Sequence, residues 1–281
     1  MLTFSPRVPV LRAVCVRSLP DVYNGVTEDK SKHDMPCNAI ICDWNGTLIQ
    51  HRDERPVLEG IAVDLFWASF PLHPLRMLRI YRTRALLEAL YLRASREAEF
   101  DFVRELFRVY NERIVNGVPV SLIHSIVVRY ANREEVQRQL DHRVLRAIRA
   151  CHRAGKTTGI FSAGYGYGIL SILAAAGYIS DFDFCKADQL AEENGRAVRF
   201  ELNIYKNKRR FLEELLRERA LDPRRVAYVG DSEDDEGCFE LVGYPVMAYM
   251  APEELKVRFA RKYRAFVPKD EQHLANHLVH A

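Results

Sequence analysis

An aspartate that could act as a nucleophile or as a metal ligand stands near the start of the chain. Asp43 follows the apolar run at residues 39–42 and precedes a turn formed by Gly46 and Thr47. A short apolar run favours a buried strand, and a Gly-Thr turn carries the chain away from the sheet. The pattern predicts a carboxylate at the C-terminal edge of a strand, where open α/β sheets bind ligands.

Three further groups of residues could serve the same chemistry. Ser162 follows the predicted strand at residues 157–161, and its hydroxyl can bind a phosphoryl oxygen together with the backbone N–H of Ala163. Lys208 offers a fixed positive charge opposite such a group. The acidic turn at residues 230–235 follows another predicted strand, and its carboxylates suit a Mg²⁺ ion.

Each of these residues also has an ordinary structural explanation. An aspartate at the end of a strand often caps a helix or closes a turn. Lys208 belongs to the basic run at residues 206–210, and such runs usually form the solvated face of a helix. The acidic residues 233–236 would favour a helix start through the helix dipole. The order of the four groups, three of them directly after predicted strands, favours one common site.

Together the four groups resemble the sequence motifs of the haloacid-dehalogenase-like (HAD) superfamily. Its motifs run hydrophobic-DxDGT, hydrophobic-Ser/Thr, Lys and hydrophobic-GDxxxD, and the resemblance extends from residue 38 to about residue 268. The gap between Lys208 and Asp231 resembles that of the phosphoserine-phosphatase-like branch. The resemblance implies an α/β fold, a doubly wound parallel sheet with a Rossmannoid core and an all-helical C1-type cap inserted after the first strand.

The resemblance also implies a metal site and a covalent mechanism. Asp43 would be the nucleophile and a Mg²⁺ ligand, and Asn45 would offer its backbone carbonyl to the same ion. Asp231 would be the other direct ligand, while Asp235 would bind through water or orient the site. The expected reaction is hydrolysis of a small phosphomonoester through an aspartyl-phosphate on Asp43.

The phosphoryl group has its own implied partners. Ser162, Ala163 and Lys208 would hold its oxygens. Lys208 would also act in catalysis, beside Asp43 and Asn45.

Asn45 is the main departure from the family pattern, which places a second aspartate there to move a proton. An amide cannot accept and return a proton near neutral pH, and losing an acid–base residue typically costs about 10²–10⁴-fold in rate. We expect a slow phosphatase, or one that draws on a residue such as Asp53 or Glu54. Two alternatives stay open: a phosphotransferase with a long-lived phosphoenzyme, and a catalytically impaired protein that binds phosphate ligands for regulation.

The substrate-facing residues match the phosphoserine phosphatases less well. Arg52 falls where those enzymes place a glutamate, and Glu54 is only a neighbour, which weakens the case for serine phosphate. Asp234 stands where they tend to carry asparagine. Residues 51–155 contain no lysine and 18 arginines against 13 acidic residues. A solvated helix surface explains that excess better than phosphate recognition does.

Composition favours a soluble, cytoplasmic protein. The 281 residues, 48% of them apolar, allow one large domain or two moderate ones. No apolar stretch approaches the ~18 residues needed to cross a bilayer, and a net charge of +3 is too small to indicate nucleic acid binding. The six cysteines lack CxxC spacing and are expected to be free thiols. We therefore expect a small phosphorylated substrate and no nucleic acid or membrane partner, with a homodimer left open.

Three regions are expected along the chain. Residues 1–36 are predicted to be a disordered or non-native extension, residues 37–54 and 156–281 the α/β core, and residues 55–155 the helical cap. Amphipathic helices in the cap are predicted near residues 58–69, 74–96, 98–115, 119–130 and 141–154. Later strands, alternating with helices, are predicted at residues 157–161, 182–185, 196–205, 226–229, 244–248 and 265–267. Such alternation indicates a parallel sheet covered on both faces.

Overall fold

Five parallel strands form the central sheet. The structure is a computed structural model that describes residues 36–51, 54–70, 72–97 and 100–281. The strands of these residues are β1 (Ala39–Cys42), β2 (Thr157–Tyr165), β3 (Phe184–Asp188), β4 (Leu190–Glu193), β5 (Arg196–Phe200), β6 (Val226–Gly230) and β7 (Tyr244–Met247). The sheet has the order β3-β2-β1-β6-β7, and β4 pairs with β5 in a separate antiparallel hairpin.

Helices connect the strands. In chain order they are α1 (Arg55–Ala68), α2 (Pro74–Ala94), α3 (Phe102–Tyr110), α4 (Val120–Ala131), α5 (Glu134–Gln137), α6 (His142–Arg153), α7 (Gly166–Ala175), α8 (Lys208–Glu218), α9 (Glu236–Leu241), α10 (Glu253–Tyr263) and α11 (Glu271–His280). Helices α1 to α6 all lie between β1 and β2, and we call residues 55–153 the helical insert. A π-helical turn at Asn111–Val115 continues α3.

The first residues of two insert helices explain where these helices begin. Pro56 occupies the first turn of α1, where its missing N–H costs nothing, so α1 starts three residues before the predicted position. The carboxylate of Asp101 accepts a hydrogen bond of 3.2 Å from the backbone N–H of Arg104 and caps α3. Helix α3 therefore starts after the predicted residue 98, which lies outside the described residues.

Strand β1 lies in the middle of the sheet, and its residues pack on both sides. Ile40 and Cys42 belong to a hydrophobic cluster that includes residues of the insert, α7 and α11. Ala39 and Ile41 belong to a second cluster with residues of α8, α9 and α10. Since successive residues of a strand point to opposite faces, helices cover both faces of the sheet. The predicted doubly wound parallel sheet is confirmed.

The register of β1 brings the predicted motifs to one edge. Cys42 lies opposite Ile160 of β2 and opposite Val229 of β6. Strand β1 ends at Cys42 and β6 ends one residue beyond Val229, at Gly230, so Asp43 and Asp231 leave the sheet close together at its carboxyl edge. Strand β2 continues past this level to Tyr165.

Several predicted strands differ in extent: β2 continues from the predicted residue 161 to Tyr165, so that Ser162 lies within it, and β3 covers Phe184–Asp188 instead of residues 182–185. The predicted strand at residues 196–205 ends at Phe200, because the carboxylate of Asp188 accepts hydrogen bonds from the backbone N–H groups of Asn203 and Ile204 and turns the chain. The predicted strand at residues 265–267 is reduced to one bridge between Phe266 and Val246. Strand β4 was not predicted, since its sequence LAEE lacks the β-branched and aromatic residues that mark strands.

The β4–β5 hairpin connects the helical insert to the rest of the chain. The backbones of Gly117 and Ala197 are joined by a 2.8 Å hydrogen bond. The amide of Asn111 both donates to the carbonyl of Phe200, at 3.0 Å, and accepts from its N–H, at 2.7 Å. These contacts hold the C-terminal half of α3 beside the loop that follows β5.

In the described part of the chain, no helix combines the length and apolarity that crossing a membrane requires. The predicted extension at residues 1–36 lies outside the described residues, apart from Pro36.

Candidate active site

Asp43 is buried at the end of β1 and both of its carboxylate oxygens are engaged. Oδ1 accepts a hydrogen bond of 2.7 Å from the backbone N–H of Trp44. Oδ2 accepts one of 2.7 Å from Nζ of Lys208. The residue is 4% exposed, so these contacts rather than water fix its position.

Lys208 is the first residue of α8 and bridges two carboxylates. Its Nζ lies 2.7 Å from Oδ2 of Asp43 and 2.7 Å from Oδ1 of Asp235. Its neighbours Arg209 and Arg210 are exposed and pair with glutamates, as expected for a solvated helix face, whereas Lys208 is buried. The alternative explanation of the basic run therefore holds for the arginines and fails for Lys208.

Asp235 is fully buried and holds the acidic turn together. Its Oδ1 also accepts a 2.8 Å hydrogen bond from the hydroxyl of Tyr228, in the middle of β6. Its Oδ2 accepts from the backbone N–H groups of Asp231 and Ser232, at 3.0 and 3.2 Å, and from the Ser232 hydroxyl at 3.2 Å. With both oxygens occupied in this way, Asp235 is suited to orienting the site.

Asp231 approaches the turn after Asp43 so closely that only glycine fits there. A Cβ atom at Gly46 would lie 2.0 Å from Oδ2 of Asp231, and the φ angle of Gly46 is +67°. A residue with a side chain would both clash and adopt an unfavourable backbone conformation. Ligand atoms of Asp43, Asp231 and Asp235 lie within 4.8 Å of one another. The carboxylate cluster thus depends on the glycine of the Gly-Thr turn.

The electrostatics of this cluster suit a cation. Burial raises the pKa of Asp43 to about 6, although the charge of Lys208 opposes the rise. Burial alone would lower the pKa of Lys208, but the carboxylates of Asp235 and Asp43 outweigh it and hold that pKa well above its ordinary value. The three clustered carboxylates and this one ammonium group, when ionised, leave a net charge of minus two. A divalent cation with hard oxygen ligands fits this donor set.

Ser162 and Ala163 lie in β2 beside the same cluster. Ser162 is buried, and its hydroxyl accepts a 3.1 Å hydrogen bond from the backbone N–H of Gly164. The register of β2 shifts between Ser162 and Tyr165, so the local backbone departs from regular pairing. This irregular segment faces the pocket that holds Asp43 and Lys208.

Asn45 contacts Glu54, which lies just before α1. Nδ2 of Asn45 donates a 3.0 Å hydrogen bond to Oε1 of Glu54. Glu54 is 7% exposed, and a Cβ atom at Gly164 would lie 2.3 Å from its Oε1. The glutamate that seemed only a neighbour of the first motif is therefore part of the site. Asp53, the other candidate, lies outside the described residues.

One pocket joins the predicted motifs to residues of the helical insert. It is lined by Asp43, Asn45, Glu54, Val103, Phe107, Ser162, Ala163, Leu202, Tyr205, Lys206, Lys208, Asp231, Ser232 and Asp234. Asp235 lies behind it, and Asp234 is exposed, so its carboxylate faces solvent. No arginine belongs to the described lining, which agrees with the explanation of the insert arginines as surface residues.

Asp101 connects the insert to the loop before Lys208. Its Oδ1 accepts a 3.1 Å hydrogen bond from the hydroxyl of Tyr205, and its Oδ2 accepts one of 2.7 Å from Nζ of Lys206. Lys206 has a φ angle of +59°, an unusual value for a residue with a side chain. The chain therefore turns sharply where the pocket, the insert and α8 meet.

Sequence reasoning missed several residues of this site. Ser232 and Asp235 form a capping box, whose S-x-x-D spacing is visible in the sequence. Tyr228 carried a weaker signal, a polar hydroxyl inside an otherwise apolar strand. Asp101 left no local signal, because its role depends on contacts across the fold. Glu54 was one of two candidate acid–base residues, but its contact with Asn45 was not predicted.

Comparison with known proteins identifies the family of this chain. A sequence profile described as haloacid dehalogenase-like hydrolase matches residues 40–240. No curated protein matches the sequence. Among solved structures, the chain is similar to a substrate-bound phosphoserine phosphatase, with a TM-score of 0.50, 15% identity and coverage of 82% of this chain and 99% of that one.

Two further structures share the fold. Cytosolic 5'-nucleotidase IIIB bound to cytidine gives a TM-score of 0.56 at 15% identity, covering 86% of this chain and 85% of that one. A HAD family hydrolase from Salmonella enterica subsp. enterica serovar Typhi gives 0.53 at 18% identity over 80% of this chain. The chain spans 66% of the length of the Salmonella hydrolase. The profile covers well over half of the sequence, and we conclude that the chain belongs to the haloacid dehalogenase-like hydrolase family.

Proposed function

We propose that this chain is a Mg²⁺-dependent phosphomonoester hydrolase that acts on a small substrate. The observation that carries the proposal is the ion-paired bridge of Lys208 between Asp43 and Asp235, at 2.7 Å to each, in a pocket that also contains Ser162 and Asp231. An aspartate held in this way, with a cation and a hydroxyl beside it, suits attack on a phosphoryl group. The phosphatase and nucleotidase structures with this fold support the same class of reaction.

The proposed first step is a transfer of the phosphoryl group to Asp43. A carboxylate oxygen of Asp43 forms a bond to phosphorus, the ester P–O bond breaks, and the alcohol leaves after gaining a proton. Lys208 and the hydroxyl of Ser162, with the N–H of Ala163, bind the phosphoryl oxygens. A water molecule then attacks phosphorus, which frees inorganic phosphate and regenerates the carboxylate.

The metal would be held by Asp43, Asp231 and the backbone carbonyl of Asn45. When bound, Mg²⁺ would offset negative charge on the carboxylates and the phosphoryl group. Asp235 would orient the site from behind, since both of its oxygens already accept hydrogen bonds.

Glu54 is the proposed acid–base residue. It is a buried carboxylate in the pocket that contains Asp43, and it contacts the residue that replaces the family's second aspartate. A carboxylate within reach of the leaving group can supply its proton and later accept one from water. The amide of Asn45 would then position Glu54 and take no proton itself.

The helical insert is proposed to act as the cap. Val103 and Phe107 of α3 line the pocket opposite the carboxylates and limit the space for a substrate. Lys206 and Glu54 offer one positive and one negative group near the phosphoryl site. A small phosphomonoester with polar groups fits this lining better than a long apolar one.

A phosphotransferase is the second candidate, and Asn45 favours it. If no group activates water efficiently, the second step slows more than the first and the aspartyl-phosphate persists. A catalytically impaired regulatory protein would bind a phosphate mimic in the presence of Mg²⁺ without turnover. Lys208, Ser162 and Asp231 all line one pocket, and this favours an active enzyme over a catalytically impaired regulatory protein.

The test measures phosphate release from a panel of small phosphomonoesters with and without Mg²⁺. Asp43→Asn should abolish release. Asp181→Asn is the matched control, because Asp181 is also a buried aspartate in an ion pair, 2.7 Å from Arg149, but lies outside the pocket lining. Release that survives Asp43→Asn would overturn the proposal. Acid quench after brief incubation with a labelled phosphodonor separates a persistent phosphoenzyme from a hydrolase.

A further inference from the structure

The junction of α1 and α2 carries an unusual set of exposed apolar side chains. Each is between 44% and 81% exposed: Trp67, Phe70, Leu72, Leu75, Leu78 and Tyr81. Single exposed apolar residues are ordinary on protein surfaces, but six within fifteen positions of one chain segment are not. We call these six residues the apolar ridge.

The chain segment that carries the ridge has an excess of positive charge. No aspartate or glutamate occurs between Asp64 and Glu88, whereas four arginines do. Three of them, Arg76, Arg79 and Arg82, have no carboxylate within ion-pair distance among the described residues. Partial burial lowers the pKa of Arg76, and the nearby charge of Arg79 lowers it further. The positive charges of this segment are therefore poorly compensated.

Many arginines elsewhere in the insert are paired. Arg93 pairs with Glu97, Arg108 with Glu112, and Arg138 with Glu134. Such pairs are typical of a solvated helix face. On α2, by contrast, three arginines without a carboxylate partner in the described part of the chain lie within seven residues of one another among the residues of the apolar ridge. This combination points to a partner which is both apolar and anionic.

We propose that the apolar ridge docks on the surface of a bilayer that contains anionic phospholipid. Leucine and phenylalanine side chains would enter the interfacial region, and Trp67 and Tyr81 suit its polar boundary. The arginines would lie at the level of the lipid phosphates, where each positive charge contributes about 1 kcal/mol. A helix that lies on the surface of a bilayer needs no membrane-spanning segment.

Charge complementarity favours an anionic lipid surface over a second copy of the chain as the partner of the ridge. A two-fold contact would place the ridge against itself, and the uncompensated arginines of one copy would face those of the other. Nucleic acid would satisfy the arginines and leave the leucines in water. An anionic lipid surface satisfies both sets of side chains.

The test is co-sedimentation of the full chain with vesicles of phosphatidylcholine alone, and with vesicles in which roughly one third is phosphatidylglycerol. Binding is expected only to the anionic vesicles and should weaken as salt is raised. Leu72→Ser with Leu75→Ser, and separately Arg79→Gln with Arg82→Gln, should each lower the partition coefficient about tenfold or more. All four positions are exposed, so folding should be retained, and circular dichroism checks it.

Matched controls lie away from the ridge. Leu170→Ser changes an exposed leucine on α7, and Arg210→Gln with Arg217→Gln changes two exposed arginines on α8. These variants should bind like the wild type. Equal binding by ridge and control variants would overturn the proposal, as would absence of wild-type binding to anionic vesicles. A concentration-dependent dimer that the ridge variants abolish, without vesicle binding, would assign the ridge to self-association instead.

Discussion

The side-chain amide of Asn45 donates a 3.0 Å hydrogen bond to Oε1 of Glu54, so the residue that departs from the family pattern contacts a buried carboxylate. The amide of Asn45 and the carboxylate of Glu54 are compatible as a pair. A second aspartate at position 45 would place two carboxylates in contact, and two like charges at that distance cannot both ionise easily. The amide removes this conflict and leaves one carboxylate in the pocket.

The first prediction concerns this pair. Glu54→Gln should lower the rate of phosphate release about 10²-fold or more, because it removes the only proposed acid–base group. Adding Asn45→Asp to that variant should recover much of the rate, since it restores one carboxylate beside an amide with the positions exchanged. Steady-state kinetics on the four combinations checks this.

Glu59→Gln is the control for the first prediction, because Glu59 is an exposed glutamate on α1, the helix that begins directly after Glu54. It should leave the rate unchanged. Wild-type activity in Glu54→Gln would show that water is activated by another group. Asn45→Asp alone should be most active at acid pH, where the two neighbouring carboxylates share a proton.

The second prediction concerns Lys208. Lys208→Met should destabilise the metal-free protein by roughly 3–5 kcal/mol, because Asp43 and Asp235 would be left as buried carboxylates without their cation. Mg²⁺ should raise the free energy of unfolding of this variant more than that of the wild type, since it supplies the missing positive charge. Urea denaturation with and without Mg²⁺ measures both effects. Arg210→Met, on the exposed face of α8, should show neither.

The third prediction concerns pH. Burial raises the pKa of Asp43 from 3.8 to about 6, so the folded protein takes up this proton more readily than the unfolded chain. The resulting contribution to stability is fully present below about pH 3.8 and is lost as pH rises towards 6. The difference in the free energy of unfolding between the wild type and Asp43→Asn, measured by urea denaturation without metal, should show this loss. If this difference in free energy of unfolding stays constant between pH 3.8 and about 6, the raised pKa of Asp43 is contradicted.

Mg²⁺ should weaken the same pH dependence, because a cation favours the ionised form of Asp43. Asp188 provides an internal comparison, since burial raises its pKa to about 6 as well. The Asp188 contribution should persist in Asp43→Asn and should not respond to Mg²⁺, as Asp188 lies outside the carboxylate cluster.

The fourth prediction concerns the loop that leads to Lys208. The carboxylate of Asp188 accepts hydrogen bonds from the backbone N–H groups of Asn203 and Ile204, at 3.0 and 3.2 Å. Asp188→Ala leaves these donors without their acceptor and should cost about 1–3 kcal/mol in thermal or urea denaturation. Asp188→Asn keeps one acceptor oxygen and should cost less. Equal stability of the two variants would remove this carboxylate as the support of the loop.

The sequence predicted the catalytic edge of the sheet because parallel strands place their carboxyl ends together. Asp43 and Asp231 follow strands whose apolar runs are readable, and Ser162 lies within such a strand, so their proximity required only the strand order. Lys206 and Lys208 lie in one basic run, and only the gap between Lys208 and Asp231, which resembles that of the phosphoserine-phosphatase-like branch, identified Lys208 as the candidate. The structure adds the physical difference: Lys208 is buried between two carboxylates, whereas Lys206 pairs with Asp101 in a more exposed position.

Contacts that depend on the whole fold were beyond prediction. The end of β5 is set by the carboxylate of Asp188, which lies twelve residues before Phe200 in the sequence and on another strand. Glu54 enters the site because Gly164 leaves room for its carboxylate. Local sequence patterns carried no signal for the role of Asp188, and they suggested Glu54 only as one of two candidate acid–base residues.

The fifth prediction concerns Asp101, which joins the insert to the pocket through the Tyr205 hydroxyl and the Lys206 ammonium group. Asp101→Asn should change stability by less than about 1 kcal/mol, because the Lys206 side chain of this ion pair is 53% exposed and asparagine can still accept hydrogen bonds. It should raise KM more than it lowers kcat, since Tyr205 and Lys206 line the pocket without touching Asp43. Asp222→Asn, which breaks an exposed pair with Arg224 far along the chain, is the control and should leave both constants unchanged. A loss confined to kcat would mean that Asp101 acts on the chemical step rather than on how the insert and the loop enclose the substrate.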